Sequence, residues 1–136
     1  MLLNPYLSFN GQCEEAFKFY KSVFGGQITA MLGHRGTPAE NFVPENWKDK
    51  IMHARLEVNG KTLMGGDGRP DHPTKPQGFA VTIFLDTPED AERVFRALSE
   101  GGEVQMPIEQ TFFAQRFGMC TDRYGIPWMV GAGEAS

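Results

Sequence analysis

Apolar residues recur at helical spacing in two stretches of the chain. Two sets of four have the spacing i, i+3, i+4, i+7: Ala16, Phe19, Tyr20 and Val23, and then Ala91, Val94, Phe95 and Leu98. This spacing places each set along one face of an α-helix, because the helix turns once every 3.6 residues. The pattern therefore predicts two amphipathic helices, each packed through its apolar face onto a flat surface.

Capping residues mark the ends of both predicted helices. The first follows Asn10, whose side chain can cap it, and runs to about Phe24, where two glycines favour termination. The second begins at Thr87, which is followed by a proline and two acidic residues, and it ends before Gly101.

Short apolar runs with strand character surround each helix in the same order. They cover residues 6–9, 27–32, 51–58 and 61–65 in the first half, and 79–85, 103–106, 111–121 and 126–130 in the second. Asn59-Gly60 predicts a tight hairpin in the first half, and residues 122–125 predict a turn at the matching place in the second. Each half is thus predicted to be strand, helix, strand, strand, strand, which is an internal repeat.

The repeat predicts an α+β fold of two βαβββ modules that form a cupped mixed sheet around a cleft. Each module has a helix on one face of its sheet, so the economical arrangement turns the two bare faces toward each other. We expect a single domain over residues 1–136, with module one at about 1–66, a Pro- and Gly-rich linker at 67–77 and module two at about 78–132. The rival fold is a ferredoxin-like sandwich with extra strands, which would not explain a hairpin at the end of both halves.

Composition and charge exclude several classes of protein. The net charge is -4 and no basic cluster occurs, which argues against a nucleic-acid partner. No apolar run approaches the roughly 18 residues of a membrane helix, and the start MLLNPYLSF lacks the features of a signal peptide. The two cysteines form no disulfide framework and favour a cytoplasmic protein.

Strand alternation predicts which side chains face the cleft, since successive residues of a strand point to opposite faces. The predicted ligand-binding residues are Asn4, Tyr6, Ser8, His53, Arg55, Glu57, Met64, Arg116, Cys120 and Met129. Arg116 and Cys120 belong to this set only if no bulge interrupts their strand. Thr82 and Phe84 are predicted on the same face, whereas Trp128 is predicted to pack against the helix.

His53, Arg55 and Glu57 are the most informative group in this set. They occupy positions i, i+2 and i+4 of one strand, so their side chains form a row about 7 Å apart. An imidazole can act as a general acid or base, which makes His53 the candidate catalytic residue, and a guanidinium can hold a carboxylate or phosphonate through two hydrogen bonds. The alternative is an ordinary surface pair of Arg55 with Glu57.

Other reactive residue types give weaker predictions. His34 and His72 lie in predicted loops, and no spacing motif joins them to His53 in a metal site. Cys120 could act as a nucleophile only beside a base, so we expect a buried thiol. Asp122 is expected to cap the backbone of its turn.

Long motifs resemble the PhnB-like branch of the vicinal oxygen chelate superfamily, which includes glyoxalases, bleomycin-resistance proteins and extradiol dioxygenases. They are NPYLSFNGQCEEAFKFY, MHARLEVNGKTLMGGD, GFAVTIFLD and EQTFFAQRFGMCTDRYGIPWM, in that order. The resemblance implies the cupped-sheet fold and a homodimer. The branch is often labelled demethylubiquinone methyltransferase-like, but no strand here leads into a Gly-rich turn that could cradle S-adenosylmethionine.

The resemblance also implies positions for a divalent metal, because many members hold one with His, Glu or Gln from the first and fourth strands of each module. The matching positions here are near Asn4, Met64, Ala80 and Met129. A thioether is a poor ligand for a hard cation and alanine is none. We therefore expect no metal and no other cofactor, with a divalent metal as the alternative.

The function expected from sequence is binding of a small, possibly anionic molecule in a metal-free cleft. The first alternative is a metal-dependent enzyme of the glyoxalase or dioxygenase type. The second is a protein that sequesters a drug, as bleomycin-resistance proteins do. If the chain is an enzyme, a lyase, isomerase or dioxygenase activity fits the resemblance better than methyl transfer.

Overall fold

The computed structural model describes residues 1–133, which form two compact units, Met1–Thr74 and a second unit that begins at Lys75. The first unit contains β1 (Tyr6–Phe9), α1 (Cys13–Phe24), β2 (Gln27–Gly33), β3 (Ile51–Val58) and β4 (Lys61–Asp67). Short 3-10 helices, Pro38–Phe42 and Glu45–Trp47, lie between β2 and β3. The second unit contains β5 (Val81–Leu85), α2 (Pro88–Ser99), β6 (Glu103–Glu109), β7 (Arg116–Thr121) and β8 (Pro127–Ala132).

Each unit has one four-stranded mixed sheet, and the two sheets have equivalent strand orders, β1-β4-β3-β2 and β5-β8-β7-β6. The first and last strands of each unit pair in parallel, and the remaining pairs are antiparallel. The α+β fold class and the repeated order of strand and helix are thus confirmed. No helix within residues 1–133 is both long and apolar enough to cross a membrane.

One face of each sheet is buried under its helix. In the first unit the buried side of α1 consists of Cys13, Ala16, Phe17, Tyr20 and Val23. In the second unit the buried residues of α2 are the four predicted ones, Ala91, Val94, Phe95 and Leu98. The first stripe was predicted with Phe19, but Phe17 lies in the core and Phe19 is only half-buried.

A glycine in each sheet lets an aromatic ring of the helix approach the backbone closely. A Cβ on Gly65 of β4 would lie 2.8 Å from the ring of Phe17, and one on Gly118 of β7 would lie 2.8 Å from the ring of Phe95. Real Cβ atoms do not come this close to a ring, so both helices pack where the sheet has no side chain. The two units share this packing solution.

The two helices begin differently. Thr87 caps α2 as predicted, since its hydroxyl accepts a hydrogen bond from the backbone N–H of Asp90. Asn10 does not cap α1, and its amide instead bonds the backbone of Thr74 through both its oxygen and its nitrogen. The start of α1 is bound by Asp67, whose Oδ1 accepts from the N–H groups of Gly11 and Cys13.

The boundaries of the second unit's strands also differ from the predicted ones. β6 continues to Glu109, and β7 begins only at Arg116, five residues after the predicted start at Thr111. Residues 111–115 instead form a turn, in which the Thr111 hydroxyl accepts from the N–H groups of Phe113 and Ala114. A hydroxyl that binds nearby backbone donors in this way competes with strand pairing.

Candidate functional site

The face of the first sheet that carries no helix, called here the first open face, holds most of the predicted site. Alternation along β1 leaves Tyr6 and Ser8 exposed while Leu7 and Phe9 are buried. Ile51 at the start of β3 is buried, next to a register irregularity with β2, and from His53 onward the buried positions are Ala54 and Leu56. His53, Arg55 and Glu57 are therefore on the opposite side, as the sequence predicted.

Tyr6 lies across the first open face and orders the residues beside it. Its ring stacks on that of His53, with centroids 6.1 Å apart and planes inclined by 19°. Its hydroxyl donates to the backbone carbonyl of Met52 at 3.2 Å. This path exists because Gly66 has no side chain, since a Cβ there would lie 2.6 Å from the Tyr6 hydroxyl oxygen. Partial burial raises the pKa of Tyr6, which keeps its hydroxyl protonated to higher pH.

Arg55 lies in the centre of the same face. Its backbone is in register with Met64 of β4, and Met64 is in register with Tyr6 of β1. The guanidinium contacts Glu57 through one Nη2–Oε1 distance of 3.4 Å, with about a third of the Arg55 side chain exposed. A long ion pair in solvent contributes little. Among residues 1–133 the Arg55 guanidinium therefore keeps most of its five N–H donors for another acceptor.

Two further predicted residues border this group. Ser8 is exposed and in register with Gly66, and Asn4 is half-buried just before β1. The first unit thus brings together on one face a cation, an imidazole, a phenol and a hydroxyl.

The helix-free face of the second sheet, called here the second open face, has a different composition. Met129 is in register with Thr82 on one side and with Met119 on the other. Phe84 is half exposed and its ring approaches that of Phe117, with centroids 6.4 Å apart. The predicted placement of Met129, Thr82 and Phe84 agrees with this register. Phe117 and Met119 were missed.

Arg116 and Cys120 lie on the opposite side of the sheet, so their predicted placement on the open face is wrong. Cys120 is buried in register with Trp128, and Arg116 donates through Nε to Glu92 of α2 at 2.8 Å. The prediction counted four residues in the turn that follows this strand, whereas five separate the paired residues Thr121 and Pro127. One extra residue in a turn exchanges the two faces of the strand before it.

Burial makes Cys120 an unreactive group. It raises the pKa of the Cys120 thiol to about 11, and the carboxylate of Asp122 adds to the shift. That carboxylate caps its turn as predicted, with Oδ1 accepting from the N–H groups of Tyr124 and Ile126. Its Oδ2 accepts from the indole N–H of Trp128 at 2.9 Å, so Trp128 packs on the helix side with its polar atom bonded.

The two loop histidines contact other loop residues rather than the residues of the first open face. A ring nitrogen of His34 bonds the Lys50 carbonyl at 2.8 Å, and the ring is buried, so it fastens the loop before β3. His72 is exposed beside Asp71 at 3.6 Å. Both contacts are structural.

The residues present do not suit the divalent metal that the superfamily implies. Met64 and Met129 occupy the two fourth-strand positions, and their neighbours in register on the first strand of each unit are Tyr6 and Thr82. Within residues 1–133 no cluster of three His, Cys, Asp or Glu side chains could hold an ion.

The sequence prediction placed Asp67 in the linker, which is wrong, because Asp67 is the last residue of β4. It is buried and accepts three backbone hydrogen bonds, two at the start of α1 and one from Ile51 at 2.8 Å. A carboxylate with three donors is structurally satisfied. The Gly65-Gly66 pair before it favours a turn, so the local sequence argued against a strand that continues to Asp67.

Comparison with known proteins places these features in a family. Residues 2–131 match the family model described as 3-demethylubiquinone-9 3-methyltransferase. The chain belongs to this family. Its fold is also that of a PhnB protein, which agrees with the PhnB-like resemblance seen in the sequence.

Individual relatives agree with this assignment. Protein YjdN of Escherichia coli K12 is 31% identical over 139 residues, covering 96% of this chain and 94% of YjdN. The crystal structure of protein PA1353 from Pseudomonas aeruginosa is 46% identical, covers 98% of both chains and superposes with a TM-score of 0.89. A putative 3-demethylubiquinone-9 3-methyltransferase, PhnB protein, from Bacillus cereus shares the fold at 24% identity, with 98% and 100% coverage and a TM-score of 0.80.

Proposed function

We propose that the first open face binds a small anionic molecule, with Arg55 as the anchor and His53 as a neighbouring group that can exchange a proton with it. The observation that carries this proposal is the position of Arg55 in the centre of the face, with one long contact to Glu57. A guanidinium with free donors matches the paired oxygens of a carboxylate or phosphonate.

The arrangement around Arg55 supports an ordered site. The Tyr6 ring stacks on His53 and is itself held by its hydrogen bond to Met52, so the imidazole has a fixed neighbour. Met64 supplies an apolar surface beside the guanidinium, in register with both Tyr6 and Arg55. A ligand with an anionic head and a small apolar body would contact all three groups.

Calorimetric titration with phosphonoacetate tests the anchor, and neutral triethyl phosphonoacetate serves as the matched ligand. We expect the anion alone to bind, and Arg55→Gln to weaken its binding at least about tenfold, because a charge-assisted pair is worth more than 1.4 kcal/mol. Arg69→Gln is the control, since Arg69 pairs with Asp71 on the surface of the same unit. Equal loss in both variants, or binding of the ester, would contradict the proposal.

Glu57→Gln sharpens this test. Glu57 competes with a bound anion for the Arg55 guanidinium, so removing its charge should tighten phosphonoacetate binding a few-fold. Weaker binding in this variant would mean that Glu57 holds Arg55 in place rather than competing for it.

Methyl transfer is the second candidate function, because the family description names a methyltransferase. Within residues 1–133 the connections from a strand to an α-helix are Asn10–Gln12 and Asp86–Thr87, which together contain one glycine. Neither resembles the Gly-rich turn that cradles a nucleoside methyl donor. Titration with S-adenosylmethionine separates the candidates, since micromolar binding would favour methyl transfer.

A homodimer in the cytoplasm is part of this proposal. Phe112 is 94% exposed and packs only against its neighbour Phe113 among the ring contacts of the described residues, so it offers an apolar surface to a second copy. Two free cysteines suit a reducing compartment. Sedimentation analysis should show a dimer that Phe112→Asp weakens, and a single calorimetric transition is expected if residues 1–136 form the predicted single domain.

A further inference from the structure

The second unit contains a cavity whose chemistry differs from that of the first open face. Its volume is about 460 Å³, within the usual range of small-molecule sites. The residues that shape it include Phe79, Ala80, Met119 and Met129, and the cavity lining contains no Asp, Glu, Lys, Arg or His. The cavity is open to solvent and a charged group would find no ion-pair partner in its lining, so the cavity favours a neutral molecule.

Two methionines line the cavity side by side. Met119 of β7 and Met129 of β8 are directly opposite each other in the antiparallel pair, so their side chains share one face. Phe79 adds an aromatic surface that is 51% exposed to solvent. Thioethers adapt to planar ring systems and make favourable contacts with their edges, which favours an aromatic ligand.

Two polar side chains, Gln105 and Thr121, lie at the rim of the cavity and offer hydrogen-bonding groups to a ligand. The register between β6 and β7 shifts between Val104 and Met106, which leaves Gln105 outside the regular pairing. Bulges of this kind often redirect a side chain beside a binding site. The Oε1 of Gln105 accepts from the Thr121 hydroxyl at 3.3 Å. Within residues 1–133 its amide nitrogen has no partner, so it can donate to a ligand oxygen.

We propose that this cavity binds a neutral aromatic molecule whose carbonyl oxygen accepts a hydrogen bond from the Gln105 amide. The aromatic body lies on Met119 and Met129, and the carbonyl points to the rim. This site does not use Arg55 or any other residue of the first open face, so the proposal stands independently of the anion site.

Three naphthalene probes of nearly equal size test the ligand class: 2-acetylnaphthalene, 2-ethylnaphthalene and 2-naphthoate. Methyl-labelled methionine gives a site-resolved readout, because the chain has seven methionines that NMR can follow together. We expect the ketone to shift the Met119 and Met129 signals and leave Met64 unchanged, with the hydrocarbon weaker and the carboxylate without effect. Shifts centred on Met64, or preference for the carboxylate, would overturn the proposal.

Gln105→Leu tests the hydrogen bond. We expect the dissociation constant of the ketone to rise about five- to tenfold and that of the hydrocarbon to stay the same. Thr121→Val should have a smaller effect in the same direction, since it releases the Gln105 side chain. Arg55→Gln is the matched control and should leave ketone binding unchanged. The methionine spectrum of each variant reports whether it is folded, and a folded Gln105→Leu protein with unchanged ketone affinity would overturn the assignment.

Discussion

The two units pack their helices alike but differ on the faces that the helices leave open. Gly65 and Gly118 admit a phenylalanine of the helix in the same way in both units. The first open face carries Arg55 and His53, whereas the second has Met129 at its centre. Helix packing needs a matching shape, which the repeat keeps, while the open face is free to change its chemistry.

Each unit contains a buried carboxylate that accepts three hydrogen bonds, and the two carboxylates bind donors at different sequence separations. Asp67 joins the start of α1 to the start of β3, across sequence separations of 54 to 56 and 16 residues. Asp122 binds its own turn and Trp128, all within six residues. The first therefore holds tertiary structure together and the second holds a local turn.

Removing these carboxylates should have the largest effects. Asp67→Ala and Asp122→Ala each leave three N–H donors without their acceptor, so we expect the free energy of unfolding to fall by about 3–5 kcal/mol. Urea unfolding measures the loss. Hydrogen exchange should speed up at Cys13 and Ile51 in the first variant and only around the turn in the second.

Asp71→Ala is the control for both carboxylates, because Asp71 is exposed and pairs only with surface groups. We expect a change within about 0.5 kcal/mol. A loss below about 1 kcal/mol in Asp67→Ala would mean that the helix start does not depend on this residue.

Adding a methyl group under each helix should have the next largest effect. Gly65→Ala and Gly118→Ala place a Cβ at 2.8 Å from Phe17 and Phe95, so each should destabilise its unit by about 1–3 kcal/mol. Gly68→Ala is the control, because its Cβ would meet only Phe9 O at 3.7 Å. Thermal unfolding that separates Gly65→Ala from Gly118→Ala by more than about 2 kcal/mol would show that the two units pack differently.

The helix caps should give a smaller contrast. Thr87→Ala removes the side-chain acceptor at the start of α2 and should cost about 1 kcal/mol. Gln12→Ala at the same position of α1 should change stability by less than about 0.5 kcal/mol, because Gln12 makes no side-chain cap. Equal effects in urea unfolding would contradict the view that Asp67 replaces the cap of α1.

The smallest expected effect is the reaction of the two native cysteines with a thiol reagent. Burial raises the pKa of both thiols, that of Cys120 to about 11, so neither should react with Ellman's reagent at pH 8 until the chain unfolds. The unfolded thiols lose their protons at lower pH than the folded ones. Stability should therefore fall as pH rises from the ordinary thiol range toward 11. Rapid reaction of either native thiol would disprove its burial.

Local periodicity determined much of this structure in advance. The helix stripe of α2, the Asn59-Gly60 hairpin and the face shared by His53, Arg55 and Glu57 follow from spacings of 3.6 and 2 residues. These features depend on residues that are close in sequence, so their spacing can be counted directly along the chain. Most of the first open face could be assembled in this way, while its ligand stays a prediction.

Tertiary contacts decided the remaining features. The cap of α1 by Asp67 depends on a residue more than 50 positions away. Tyr6 reaches Met52 only because the neighbouring strand supplies Gly66, and a five-residue turn set the face of Cys120. The shifted register at Gln105 likewise depends on its pairing with β7. Each outcome rests on which strand lies beside which and in what register, and local spacing does not contain that information.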